Sequence, residues 1–219
     1  MPNSKARKRQ PTLPAFRRYT NLAAAIHMLQ TQQITLLNPT TWDDKNDAYF
    51  MAEYKRIIGA QTVLAVCFAQ SSETYHHWRV FSNGSDGVCI EFDKDALVSM
   101  FSLRASIRTG RVKYHLIDTL LRKSKIDPHE LPFLKRRPYK DEREYRIVYV
   151  DEVKAQEFQN FPIQATWIKR ITLSPWMSTA LRYSVVKTLK SIPGCAGLSI
   201  VRSTLLENDR WKSITARAQ

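Results

Sequence analysis

Glycine is scarce in this chain, with only six among 219 residues. None of the six opens a strand, glycine-rich loop and helix of the kind that cradles a phosphate, which argues against Rossmann and P-loop enzymes. No glycine-flanked elbow presents a Ser or Cys, so the common hydrolase arrangement is missing too. Cysteine is equally thin. Cys67, Cys89 and Cys195 are odd in number and widely spaced. They offer neither a disulfide framework nor a zinc cluster, and they suit a reducing, cytoplasmic setting. No apolar run reaches the ~20 residues that cross a bilayer. The N-terminus lacks the apolar stretch of a secretory signal, so no membrane partner is expected. Acid is absent from residues 1–18, which carry Lys5, Arg7, Lys8, Arg9, Arg17 and Arg18.

What the chain does have is apolar material and positive charge. Its 43% hydrophobic content excludes global disorder, and its length suits one domain or two small ones. Lys and Arg outnumber Asp and Glu by 34 to 20, a formal charge of +14. Solubility alone needs a net charge of only about 2–8 in a small domain. The excess is unevenly distributed: residues 104–146 hold 13 basic against 6 acidic side chains, whereas residues 19–103 hold 5 against 9. A polyanion partner, nucleic acid, is the expected reason, because Lys and Arg gain affinity by releasing phosphate counterions.

Periodicity predicts a basic disordered arm over residues 1–14 and one mixed α+β domain over residues 15–219. Asn21 reads as the cap of a helix with Leu22, Ile26 and Leu29 on one face. Strands are predicted at Ile34 to Leu37, Thr62 to Ala69, Val88 to Asp93, Gly110 to His115, Glu144 to Val150, Trp167 to Leu173 and Gly197 to Val201. Helices are predicted at Ala48 to Ala60, Ser72 to Ser82, Asp93 or Asp95 to Phe101, Thr179 to Lys190 and Leu205 to Ile214. A basic helical region is expected after His115 up to about Arg136, with a break at Asp127-Pro128.

Three segments carry polar residues that a core does not explain. In Thr41 to Asp47, three Asp beside Trp42 either form a site loop or cap the next helix as a solvated turn. In Cys67 to Trp78, a buried strand opens into Ser71, Ser72 and Glu73 and then Tyr75, His76, His77 and Trp78, at the sheet rim where ligand sites form. Adjacent histidines point about 100° apart on a helix and make a poor metal pair, so no metal is expected. In Lys135 to Arg146, a period of two on a strand would put Glu142, Glu144 and Arg146 on one face. Such a row suits either a cation-like transition state or an ion-pair ladder. A metal nuclease would want a Lys two positions after a strand acid, a spacing absent here.

Together these segments occur in a familiar order: Trp42 to Asp47, Val66-Cys67-Phe68, Trp78 to Ser82, Asp86 to Ile90, Val112-Lys113-Tyr114, Phe133-Leu134-Lys135 and Asp141 to Arg146. Over roughly residues 16–211 they resemble a widespread bacterial family, domain of unknown function 2971. More distantly, Phe16 to Leu22, then Val66-Cys67-Phe68 with the following serines and Tyr75, then Glu144 to Val148 resemble ADP-ribosyltransferases. That resemblance implies a central, mainly antiparallel split sheet flanked by helices, with NAD as co-substrate. It implies catalytic roles for Glu144 and Glu142, and an NAD pocket drawn from Arg17, Arg18, Tyr19, Ser71, Tyr75 and Trp78. Lys135, Arg136, Arg137, Trp42 and Asp44 would then face a DNA or RNA acceptor. The role implied is a toxin or anti-phage effector, with a neutralising antitoxin as a possible partner. A non-catalytic basic nucleic-acid-binding module is the alternative, and a nuclease is the next.

Overall fold

The computed structural model describes residues 15–82 and 84–218. The expected arm over residues 1–14 lies outside them. The elements follow in the order β1 (Ala15–Asn21), α1 (Leu22–Thr31), β2 (Gln33–Leu37), α2 (Lys45–Ile57), β3 (Thr62–Ala69), α3 (Tyr75–Phe81), β4 (Gly87–Asp93) and α4 (Lys94–Ser102). Then come β5 (Ile107–Arg111), β6 (Lys113–His115), α5 (Ile117–Leu121), β7 (Leu134–Arg136), β8 (Glu144–Asp151) and β9 (Phe158–Pro162). The last are β10 (Ile168–Leu173), α6 (Thr179–Ser191), β11 (Ile200–Arg202) and α7 (Asp209–Lys212). This is a mixed α+β domain with a mainly antiparallel sheet flanked by helices. No helix among the described residues is long and apolar enough to cross a membrane.

Local chemistry sets the helix starts. The side chain of Asn21 accepts from the Ala24 backbone N–H, Asp44 from those of Asn46 and Asp47, and Asp93 from those of Asp95 and Ala96. Each satisfies donors that the first turn leaves unpaired, a contribution of about 1 kcal/mol. α3 begins later than the expected Ser72, because Thr74 caps it. The expected basic helix before Arg136 shrinks to the five-residue α5, a short turn at Pro128–Phe133 and β7. Pro128 and Pro132 lack the N–H that a helix interior requires. The C-terminal helix is likewise only four residues, Asp209–Lys212, followed by a 3-10 turn.

The sheet divides along one edge of β3. On one side β3 pairs with β8 along its whole length, from Thr62↔Asp151 to Ala69↔Glu144, and β8 pairs with β5. On its other side β3 meets β1 only at Arg17↔Ala69 and β2 only at Leu37↔Ala65. β1 runs off with β4, which pairs with β10, and β2 runs off with β9. The edge of β3 between Ala65 and Ala69 therefore has no strand beside it, and a cavity opens there. Behind it the core closes around Phe16, whose ring lies 5.0 Å from Phe68 and 4.6 Å from Tyr145. Burying each such side chain stabilises the fold by about 1.5–3 kcal/mol, which keeps the two halves of the sheet together despite the gap.

Candidate active site

The cavity has a volume of about 560 Å³. Its walls include Arg17, Arg18 and Tyr19 of β1, the exposed edge of β3, Trp42 to Asp44, and Lys135, Tyr139, Glu142 and Glu144. Val80 and Phe81 of α3 close one side.

One end holds a buried cluster of five charges. Arg146 is fully buried, and all five of its N–H donors are used. Nε and Nη2 donate to Glu144 at 2.6 and 2.9 Å. Nη1 donates to Asp47 at 2.8 Å and to the Pro132 carbonyl at 2.9 Å, and Nη2 completes the fork on Asp47. Lys135 lies between the carboxylates, 2.6 Å from Glu142, 3.2 Å from Glu144 and 3.6 Å from Asp47. Trp42 and Tyr139 each lay a ring 4.9 Å from the cationic group of Arg146 and of Lys135, respectively. Lys135 and Arg146 stand where a metal would have to sit between these acids.

The electrostatics follow from that packing. Burial works against ionisation of Glu144, but Arg146 and Lys135 outweigh it and hold the carboxyl at about 2. Burial pushes Glu142 above the usual carboxylate range, opposed by Lys135 alone among nearby strong cations. Burial also raises Asp47, against the pull of Arg146. Burial lowers Lys135 in turn, but its acidic neighbours more than reverse this and keep it protonated. Three carboxylates thus face two cations, and one negative charge is left without a permanent partner at the cavity wall. His76, 3.9 Å from Glu142 and half-exposed, compensates only when protonated. The thiol of Cys67, opposite Arg146 in the β3–β8 register, is pushed well up by burial and by Glu144.

The other end is different. Arg17 is consumed: it bonds to Glu91 at 2.9 Å and to the Ser71 carbonyl at 2.8 Å. Arg18 has only a 3.4 Å bond to the Thr35 carbonyl and no ion pair among the described residues. Burial lowers its pKa. A guanidinium in that position favours an anion. Tyr19 stacks on His77, 5.1 Å away, and its hydroxyl is buried without a partner among the described residues.

The cavity thus gathers Glu142, Glu144, Arg17, Arg18, Tyr19, Trp42, Asp44 and Lys135. The other expected site residues lie elsewhere. Trp78 is fully buried, its indole donating to Glu73, and leaves no ring face for a ligand. Tyr75 is half-exposed, meets Trp176 edge to face and does not line the cavity. Ser71 contributes a carbonyl to Arg17, and Arg136 and Arg137 are exposed on the outer surface. Lys135 is an internal counter-ion, 8% exposed, and so is withdrawn from any phosphate.

The expected face-sharing of Glu142, Glu144 and Arg146 needs correction. Arg143 has φ +44°, and Glu142 ends a 3-10 turn instead of lying on the strand. Both acids still converge because each reaches for Lys135. Asp47 and Arg146, central to the cluster, stand in the acidic loop and the charged row but are given no site role by the sequence. The signal for Asp47 was present: it lies three residues beyond the Asp44 cap, one turn inward.

This chain is similar to DarT from Thermus sp. 2.9. Its solved structure in complex with carba-NAD+ matches at 14% identity over 89% of this chain and 97% of that one, with a TM-score of 0.46. The NAD+ complex matches at 12% identity, 88% and 96% coverage and a TM-score of 0.45. The complex with ADP-ribosylated ssDNA matches at 14% identity, 88% and 95% coverage and a TM-score of 0.45. No protein-family model and no curated protein matches the chain, so the resemblance to family 2971 rests on the motifs alone.

Proposed function

We propose that this chain is an NAD-dependent ADP-ribosyltransferase acting on nucleic acid. The observation that carries the reading is the polarity of the cavity. A surplus carboxylate charge sits at one end, and at the other the partly buried Arg18 has no acid partner among the described residues. NAD has the complementary polarity, with a cationic nicotinamide ring and an anionic pyrophosphate. In the reaction the bond from ribose C1′ to the nicotinamide nitrogen breaks, and nicotinamide leaves with the electron pair. Glu144, ionised at any ordinary pH, faces the positive charge that develops on the ribose. The acceptor atom then bonds to C1′ and gives up its proton, for which Glu142, raised by burial, is the base. Arg18 serves the pyrophosphate, with Tyr19 and Trp42 beside the rings.

The +14 charge, with Arg136 and Arg137 exposed in the stretch leading to Glu142, supports a nucleic-acid acceptor. A role as a toxin or anti-phage effector goes with that reading. The test is incubation with NAD labelled in its adenylate half plus single-stranded DNA or RNA. Nicotinamide release and label transfer are expected, and the absence of both overturns the enzymatic reading. The same charge supports a second reading, a non-catalytic binding module. That protein would hold DNA with an affinity falling steeply between about 50 and 200 mM salt while releasing no nicotinamide.

A further inference from the structure

One aromatic and cationic cluster next to the cavity is used by nothing described so far. Tyr75 and Arg79 lie one turn apart on α3, and Arg79 Nε donates to the Tyr75 hydroxyl at 2.9 Å. The guanidinium lies 4.3 Å from the centre of the Trp176 ring and 5.2 Å from that of Tyr75. The two rings meet edge to face at 5.7 Å. Trp176 is itself fixed, its backbone N–H donating to Ser174. Arg79 makes no ion pair among the described residues and is exposed, and Tyr75 is 50% exposed. The next residues of the same helix, Val80 and Phe81, form the cavity wall.

We infer that Tyr75, Arg79 and Trp176 form a stacking platform for an unpaired base of single-stranded nucleic acid, next to the nucleotide that enters the cavity. The inference rests on the proposed acceptor class. Three features point to this occupant. Flat π-surface and an uncompensated guanidinium are what a base and its phosphate use together. The rings are already held in place, so little ordering is needed on binding. The chain's net charge of +14 attracts a polyanion, and the exposed Arg79 offers it a contact at the platform. A duplex offers no free base face, so the platform selects single strands. An ion-pairing or purely apolar partner would leave either the rings or the guanidinium unused.

The test is a cycle read as affinity, with the full chain and a short single-stranded DNA whose positions are replaced one at a time by an abasic site. An RNA counterpart tells whether the sugar matters. In the wild type one abasic position weakens binding by about tenfold, the scale of one stacked base. Tyr75→Ala weakens the intact strand by a similar factor and removes that abasic penalty, whereas Tyr75→Phe retains both affinity and penalty. Nicotinamide release from NAD into water stays at the wild-type rate in both variants. The platform is overturned if no abasic position matters, if the penalty survives in Tyr75→Ala, or if the wild type binds no strand. Nicotinamide release is read separately, so failure of the platform and failure of the transferase reading give different results.

Discussion

The two ends of the cavity solve the problem of buried charge in opposite ways. At the β8 end, Arg146 spends every donor on Glu144, Asp47 and Pro132, and Lys135 ties in Glu142. At the β1 end, Arg17 is satisfied by Glu91, but its neighbour Arg18 is left with a single long bond to a carbonyl. Ionic groups are taken out of water at both ends, which costs several kcal/mol per ion unless partners replace the water. The carboxylate end is therefore built to hold its geometry with no ligand present. On the proposed reading, the arginine end is completed by one. The contrast separates two things that a list of polar residues merges: groups that shape a site and groups that wait for a substrate.

Substitution at the paired end sharpens this contrast most. Arg146→Met leaves Asp47 and Glu144 buried with Lys135 as their only cation. A loss of about 3–5 kcal/mol of stability is expected in chemical denaturation. A loss no greater than that of an exposed arginine would show that the cluster is solvated and not the scaffold of the site. Glu144→Gln keeps the shape and hydrogen-bonding capacity while removing the charge. Nicotinamide release is expected to fall by about 10²–10³-fold with the circular dichroism spectrum unchanged, the scale of one lost electrostatic contact to a transition state. Wild-type turnover in that variant would mean that the wrong carboxylate has been assigned.

Much of this was legible in the sequence, and the exceptions have physical causes. β3 runs over Thr62–Ala69, the bounds its apolar run predicts, and the caps at Asn21 and Asp93 were visible as residue types. In Trp42 to Asp47, the acids divide between two structural roles. Asp44 caps α2, while Asp47 on the next turn reaches Arg146. What the sequence concealed was long-range pairing. Lys135 looked like a phosphate ligand because it opens a basic run, yet three acids drawn from α2, β8 and the preceding turn surround it. Trp78 and Tyr75 lie three residues apart on α3, and helical spacing alone does not say which one faces the core. The strand β9, over Phe158–Pro162, lacks a clean alternation and exists because β2 pairs with it along its full length.

At the unpaired end the contrast predicts the reverse balance of effects. Arg18→Met removes a partly buried cation that has no acid partner among the described residues, so stability should change by less than about 1 kcal/mol, and a rise is as consistent as a small fall. Affinity for NAD should fall by about tenfold or more, since a charge-assisted contact to phosphate is worth about 1.5–3 kcal/mol. The two measurements break the comparison together: a large stability loss with unchanged NAD affinity would make Arg18 another structural group, no different from Arg17.

The smallest effect expected is a difference in pH dependence between the two ends. Glu144 titrates at about 2 in the folded protein, below the ~4.3 of an unfolded glutamate. Its stabilising contribution is complete above the unfolded value and is lost as pH falls toward 2. Glu142 is shifted the other way by burial. Its contribution is present at low pH and is lost as pH rises through its folded pKa. The two partly cancel in the wild type and flatten its stability curve on the acid side. Glu142→Gln removes one of them. Denaturation midpoints followed from pH 3 upward should therefore show the variant gaining on the wild type as pH rises, above whatever constant cost the lost Lys135 contact imposes. Arg18→Met, by contrast, should run parallel to the wild type over the same range, because an arginine does not titrate there. Parallel curves for both variants would mean that Glu142 titrates as a solvated carboxyl, and the base assigned to the acceptor step would have to be sought elsewhere on the cavity wall.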